Sequence, residues 1–590
     1  MDLLLQRMEQ GLSNEDRLLL EKIYAPQVVA IPPVDACRSM CVTPDGEIRI
    51  YGAIEQKSPE DVGTQVYIAS RDCGLSWKMH LVPEGALGSA GLHAESGRYI
   101  SVFPNEFNRD WSARFSMSGT WAVLSDEGYD STNYRFVKLS DKAVHVLRLP
   151  FYLASCGRWL VLGEYRLPDM SDKLIVLFYS DDDGETWTER VIEKSAPYVD
   201  ILPHHKGLRW QEYSCEPTVV ELASGELVML VRTSHNYHYM YRSLDKGETW
   251  RGPEPSCFHG TITMPTLHKL SDGRILFCWC NTQPMPELDH REAFPPLGQA
   301  EINGIWEDVF TNRDANHLAI SGDDMQSWVG FRELFLNPIR SYADFRATGG
   351  IAFRDKSVHQ MQMLELPCNK LLIHFGQNPM ARRVVILDID WLYERSRTED
   401  LRLGLENLST HMYVKSNLGG YRGFSGHCAY NRTHGALLVP DPDGNFEEVL
   451  QVCRIEDERL VYKKQGVVWN FPASHAGQVT LRLRVLGQGV RICLTDRWYN
   501  PADETVALEA PVSCTWETPG GWVDLRIVYD LPAGKASFFA GDVEHELALQ
   551  GTAPNGLSYL HVQTLAESED QQGTLIKYFR QQDAGEQACR

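Results

Sequence analysis

Short runs of alternating apolar and polar residues, punctuated by Gly, Pro and Asp clusters, fill the chain from about residue 28 to 390, the period-two signature of half-buried strands. Leu174 to Tyr179 is a continuous apolar and aromatic run that also reads as a strand, and Val384 to Tyr393 closes the series. Ahead of them, Ser13 followed by Asn14, Glu15 and Asp16 and then by Leu18 to Leu20 predicts a capped amphipathic helix. Glu394 to Leu408 is more polar and reads as a helix-like connector. Period-two alternation returns at 478–485, 490–495, 522–529 and 535–539, as in the strands of a sandwich. The pattern therefore divides the chain into a helical leader over 1–27, a strand-rich domain over 28–393, a connector over 394–440 and a second β module over 441–580. A polar tail runs from Gln581. No Gly- or Ser-rich linker separates the modules, so they are expected to pack tightly.

One short word recurs within the first strand-rich region. It begins at Ser70, Ser180, Ser243 and Ser321 and follows the pattern Ser-x-Asp-x-Gly-x-(Ser/Thr)-Trp, with Met325 in the glycine place of the fourth copy. In a hairpin turn the Asp accepts backbone amides, the Gly supplies a positive φ and the Trp packs below the next strand. Leu124-Ser125-Asp126-Glu127-Gly128 lies midway through the long first gap as a degenerate copy. With it and the strands from Gly350 to Asp390, the repeat predicts six similar units. The word resembles the Asp-box of the sialidase superfamily, whose members are six-bladed β-propellers. The resemblance implies an all-β fold: a six-bladed propeller followed by a second module. The phrase from Trp522 to Ala536 resembles the back-sheet hairpin of lectin-like jelly rolls.

Charge and cysteine content narrow the function. A net charge of -22 argues against nucleic-acid and anionic-membrane partners. It leaves room for an anionic small ligand, because a few arginines can build a positive pocket on an acidic protein. There is no run of about 18 apolar residues, so no helix is expected to span a membrane. The first ten residues carry neither a basic n-region nor a long apolar h-region. The fourteen cysteines are scattered, several within strands, which favours reduced thiols and a cytoplasmic protein. No metal-ligand spacing appears, and no cofactor is expected.

The stretch from Tyr213 to Arg232 carries the most specific chemistry. Cys215-Glu216-Pro217, then Val219-Val220-Glu221-Leu222, a turn, and a strand ending in Arg232 resemble the central-blade segment of bacterial sialidases. By that resemblance Glu216 activates a tyrosine nucleophile and Arg232 is the second of three arginines that hold a substrate carboxylate. Arg313, leading into the fourth box, matches the third. Arg38 sits where the first belongs, without the family's Ile-Pro. Three planar guanidinium groups from separate units suit a carboxylate because each donates bidentate hydrogen bonds. The competing reading of Glu216 is a buried glutamate paired with a structural arginine. Asp61, with Glu60 beside it, occupies the place of the family's acid/base. The nucleophile is open between two positions. Tyr342, in Arg340-Ser341-Tyr342-Ala343-Asp344, has the shape of the family's phrase, whereas alignment of the strand from Val358 to Pro367 puts His359 or Gln360 there instead. The His204-His205 and Tyr237-His238-Tyr239 clusters are candidates to shape subsites. Trp469 and Trp498 read as core aromatics, with sugar stacking as the alternative.

The resemblance implies an exo-glycosidase that releases a terminal acidic sugar (sialic acid or a related keto-deoxy or uronic acid) from a small oligosaccharide. A uronate lyase that uses His359 for proton transfer, and a glycan-binding propeller without turnover, are the alternatives. Oligomeric state is not legible in the sequence.

Overall fold

The computed structural model describes residues 3–33, 39–54, 63–104, 118–144, 148–166, 173–194, 214–233, 235–260, 262–283, 313–338, 357–376, 380–414, 431–460 and 462–585. After two short helices, Leu3–Gly11 and Asn14–Lys22, almost all regular structure is strand. Ser13 caps the second helix, as its sequence predicts, by accepting the Asp16 amide. Among the described residues no helix is long and apolar enough to cross a membrane.

Among the described residues six four-stranded antiparallel sheets come first, spanning 40–81, 91–140, 151–192, 215–259, 266–336 and 362–388. The sixth is completed by a strand from the far end of the chain: Gln27–Ala30 pairs antiparallel with Arg383–Asp388. Second and third strands are buried on both faces, and so read as nearly continuous apolar runs; Lys173–Ser180 is buried at seven of its eight positions. The fourth strand of the first sheet, Lys78–Leu81, is fully exposed, whereas that of the fifth, Val329–Leu336, is largely buried.

Successive sheets share cores. Tyr51 and Tyr67 of the first sheet pack with Phe103 and Val123 of the second, and Ile100 and Leu124 of the second with Val161 and Phe178 of the third. Leu177 of the third meets Met229 and Tyr241 of the fourth, while one large cluster joins the fourth, fifth and sixth. Leu372 and Ile386 of the sixth then pack with Ile48 and Ile50 of the first. The chain of contacts returns to its start.

The repeated turns have the geometry their residues imply. The Asp182 carboxylate accepts the Thr186 amide at 2.8 Å and the Ser180 hydroxyl at 2.8 Å, Gly184 sits at φ 89°, and Trp187 Nε1 donates to the Gly184 carbonyl at 3.0 Å. The same bonds recur around Asp72 and Asp245. In the fourth copy Met325 takes the left-handed conformation itself, at φ 65°, with its amide still held by Ser321. In the degenerate copy Asp126 turns outward to pair with Arg98.

The second module contains an eight-stranded and a five-stranded sheet that share one core, with Leu481, Ile527 and Phe579 on one side and Trp469, Ile492 and Leu560 on the other. Val523–Asp530 and Lys535–Ala540 form the expected hairpin. The helix-like reading of 394–408 is corrected. Ser396–Glu399 is a strand paired with Asp570–Asp583, and Leu408–Ser409 pairs with Gly466–Ser474. An open sheet edge recruits this polar segment, and the buried Glu399 carboxylate is satisfied by the Leu401 amide and Asn407. The two modules are joined by buried bonds: Gln283 and Asn281 exchange backbone bonds with Trp498, and the Asn470 amide bridges to Phe331 and Glu333.

Candidate active site

Glu216 lies at the start of the first strand of the fourth sheet, where the register with Leu227–Arg232 shifts between Cys215 and Thr218. Such a bulge re-aims a side chain. Glu216 has φ 43°, a left-handed backbone that costs a non-glycine residue about 1–2 kcal/mol. Groups on both sides hold it there. Its N–H donates to Glu164 Oε2 at 3.0 Å, and its carbonyl accepts Arg148 Nη2 at 3.2 Å. Arg148 also binds the carbonyls of Pro217 and Pro265. Glu164 is fully buried and is balanced by Lys173 Nζ at 3.2 Å.

The Glu216 carboxylate accepts Arg232 Nη1 at 2.9 Å, and both side chains are buried. Burial alone would depress the Arg232 pKa, but the charge and hydrogen bond of Glu216 together with the neighbouring Cys215 and Glu164 outweigh it and hold the guanidinium above its ordinary value. Cys215 is buried beside this pair, its thiol pushed up to about 12 by desolvation. The eleven described cysteines are free thiols.

The segment 262–264 gathers the other candidates. Ile262 donates its N–H to the carbonyl of Thr233, next to Arg232, and its own carbonyl accepts Arg313 Nη2. The Met264 N–H donates to His359 Nε2 at 2.5 Å, and the Val358 N–H to the Arg313 carbonyl at 3.1 Å. Arg313 and His359 are fully buried. The structure thus brings Glu216, Arg232, Arg313 and His359 to one locality from the fourth, fifth and sixth sheets. Arg38, Asp61 and Tyr342, with Glu60, His204 and His205, lie outside the described residues.

Other sequence candidates find structural places. His238 is buried against Val231 and Thr263, and desolvation lowers its pKa to about 3. The Tyr237 ring packs on His259, at a buried network with Asp496 and Arg497 of the second module. Trp469 lies in the second module's core and Trp498 at the contact between modules, its Nε1 donating to Ser409. Among the described residues no group of three or more His, Cys, Asp or Glu side chains could hold a metal ion.

Sequence reasoning missed Glu164, Lys173 and Arg148. For Glu164 there was a signal, since a carboxylate within the apolar run Leu160 to Tyr165 marks a buried charge that must have a partner.

Residues 100–343 match the family model described as a BNR repeat-like domain. No curated protein matches the chain. Among solved structures, similarity extends to a Trypanosoma rangeli sialidase in complex with sialic acid, at 12% identity and a TM-score of 0.35, covering 95% of this chain and 91% of that chain. A Dyadobacter fermentans protein of unknown function is similar at 14% identity and a TM-score of 0.37, covering 62% of this chain and 97% of that one.

Proposed function

We propose that this chain, a divergent member of the sialidase superfamily by its BNR repeats, is an exo-glycosidase releasing a terminal acidic sugar from a small glycan. The six sheets with cyclic core contacts are read as a six-bladed propeller closed by Gln27–Ala30, and the two-sheet module as a lectin-like sandwich. The observation that carries the functional reading is Glu216: a buried carboxylate, strained at φ 43°, gripped at both its N–H and its carbonyl, and facing Arg232. Backbone strain persists where surrounding structure over-determines it, and such residues cluster at active sites.

In this reading Arg38, Arg232 and Arg313 take the substrate carboxylate. An anion at Arg232 shares the positive charge that Glu216 otherwise holds, which raises the proton affinity of Glu216 as substrate arrives. Glu216 then accepts the Tyr342 phenol proton while the phenolate oxygen bonds to the anomeric carbon. The glycosidic C–O bond breaks as Asp61 protonates the leaving oxygen. In the second step water, deprotonated by Asp61, bonds to the anomeric carbon as its bond to the Tyr342 oxygen breaks, and Glu216 returns the proton to the phenolate, so the sugar leaves with retention. A neutral tyrosine suits this task because a carboxylate nucleophile would be repelled by the substrate's own charge. His359 accepts the Met264 amide at Nε2, so that lone pair is committed, which speaks against its use as the base of an elimination.

The test is Glu216→Gln on a panel of acidic glycosides with analysis of the released products. The amide keeps an acceptor for Arg232, and turnover falls at least about 100-fold, the contribution typical of an acid–base group. Unchanged turnover would remove Glu216 from the mechanism. An unsaturated, ultraviolet-absorbing product would identify a lyase, and binding without turnover a glycan-binding propeller.

A further inference from the structure

The strand that follows Arg313 is bolted to the second module at its first residues. Asp314 is fully buried, and its Oδ2 accepts His411 Nε2 at 3.1 Å and the Tyr413 hydroxyl. Its Oδ1 pairs with Arg432 and accepts Asn337 Nδ2 at 3.2 Å. His411, Tyr413 and Arg432 are themselves buried, on or beside the paired strands Met412–Val414 and Asn431–Thr433. Those strands follow Leu408–Ser409, which belongs to the five-stranded sheet. The next residue, Ala315, packs with Val468, Trp498 and Tyr559, and His317 Nε2 meets the Tyr559 hydroxyl at 2.5 Å. Desolvation leaves His317 neutral, its pKa lowered to about 3. Three residues within four positions of Arg313 are thus anchored outside its own sheet, Asp314 in the two-stranded sheet of the segment leading into the second module and Ala315 and His317 in that module itself.

From this placement we infer that the second module is part of the carboxylate-binding apparatus, with His411, Tyr413 and Arg432 acting as positioning residues that fix Arg313 through Asp314. The inference rests on the reading of Arg313 as a ligand of the substrate carboxylate. Asp314 is a poor candidate for a direct role, since both its oxygens are already engaged by cations and donors. Its work is to hold the backbone from which Arg313 projects. A buried carboxylate bridging two modules keeps a fixed geometry, because moving either module strands an uncompensated charge. The sandwich is then more than an appended binding domain. It is the back wall against which one arginine of the site is set.

The discriminating variant is Tyr413→Phe, which removes one hydroxyl donor and leaves the ring and the Arg432–Asp314 pair in place. Its partner is His411→Gln, which keeps a side-chain donor and serves as the conservative control. Binding of sialic acid, a keto-deoxynononic acid and glucuronic acid is measured by calorimetry on the full chain, each beside its methyl ester. The expected result is a loss of about tenfold for the acid that the wild type binds, the scale of one hydrogen bond to a charged group. Affinity for the corresponding ester is unchanged, and His411→Gln stays close to wild type. A general loss of structure would weaken acid and ester alike, and that outcome too would overturn the inference. Equal acid-over-ester preference in Tyr413→Phe and wild type overturns the inference alone. A wild type that binds none of the acids in preference to its ester overturns the reading of Arg313, and the inference with it.

Discussion

Gly184 tests whether the repeated turn of one sheet is seated on the core of its neighbour. A Cβ at this position would lie 2.6 Å from Leu124 Cδ2 and 2.7 Å from Ile100 Cδ1, both in the preceding sheet. Leu124 and Ile100 are essentially inaccessible, so neither methyl can swing aside into solvent. Gly184→Ala therefore carries two penalties: about 1–2 kcal/mol for a side chain at φ 89° and about 1–3 kcal/mol for overpacking. A smaller unfolded-state gain of about 0.4–1 kcal/mol offsets part of this. Gly97 supplies the control. It has φ 76° in the second sheet, with nothing within 4 Å of an added methyl group, so Gly97→Ala carries the backbone terms alone. Urea unfolding of both variants, followed by intrinsic fluorescence with linear extrapolation, should place Gly184→Ala about 1–3 kcal/mol below Gly97→Ala. Equal destabilisation would mean that the turn does not bear on the neighbouring sheet, and the cyclic packing would lose one of its contacts.

Three further outcomes follow from buried charge. Arg232→Met leaves Glu216 buried near Glu164 and should destabilise the fold by about 3–5 kcal/mol, with Arg232→Met combined with Glu216→Leu recovering much of the loss in thermal unfolding. His238, His317 and His374 are held neutral by burial, their pKa values lowered to about 3 from 6.5. The unfolded chain takes up protons that the native state refuses, so stability is full above pH 6.5 and falls as pH drops toward 3, by up to about 1.4 kcal/mol per unit for each histidine. Replacing His374 by Gln should flatten that slope in unfolding midpoints taken between pH 7 and pH 5, and an unchanged slope would refute its share.

The repeat is legible because each turn is solved locally. Ser180, Asp182, Gly184 and Trp187 bond one another within eight residues, so the word and its geometry are nearly the same object. Met325 shows the limit of that equivalence, since its backbone adopts the glycine conformation under the pull of Ser321 and the surrounding turn. Pairing at long range is less readable. Nothing in Gln27–Ala30 announces that it will complete a sheet formed some 350 residues later, a register chosen by the open edge of Arg383–Asp388. The strand at Ser396–Glu399 escapes a reading of the sequence for the same reason: its polar composition suits solvent, and only the edge at Asp570–Asp583 gives it a ladder.

The candidate site divides along the same line. Glu216 and Arg232 sit in one hairpin, sixteen residues apart, and can be read from a single stretch of sequence. What makes Glu216 unusual comes from elsewhere: Glu164 and Arg148 in the preceding sheet region, and Lys173 behind Glu164. These contacts have no local period or spacing, because they are made between sheets. A buried charge in an apolar run announces only that a partner exists, never which one. Asp314 makes the point most sharply. In sequence it is one acid after an arginine, whereas in the fold its carboxylate meets donors from residues about a hundred positions further on. The Glu216–Arg232 pair is legible because it lies within one local phrase, and the groups that hold it in place are not, because placement is a property of the assembled sheets.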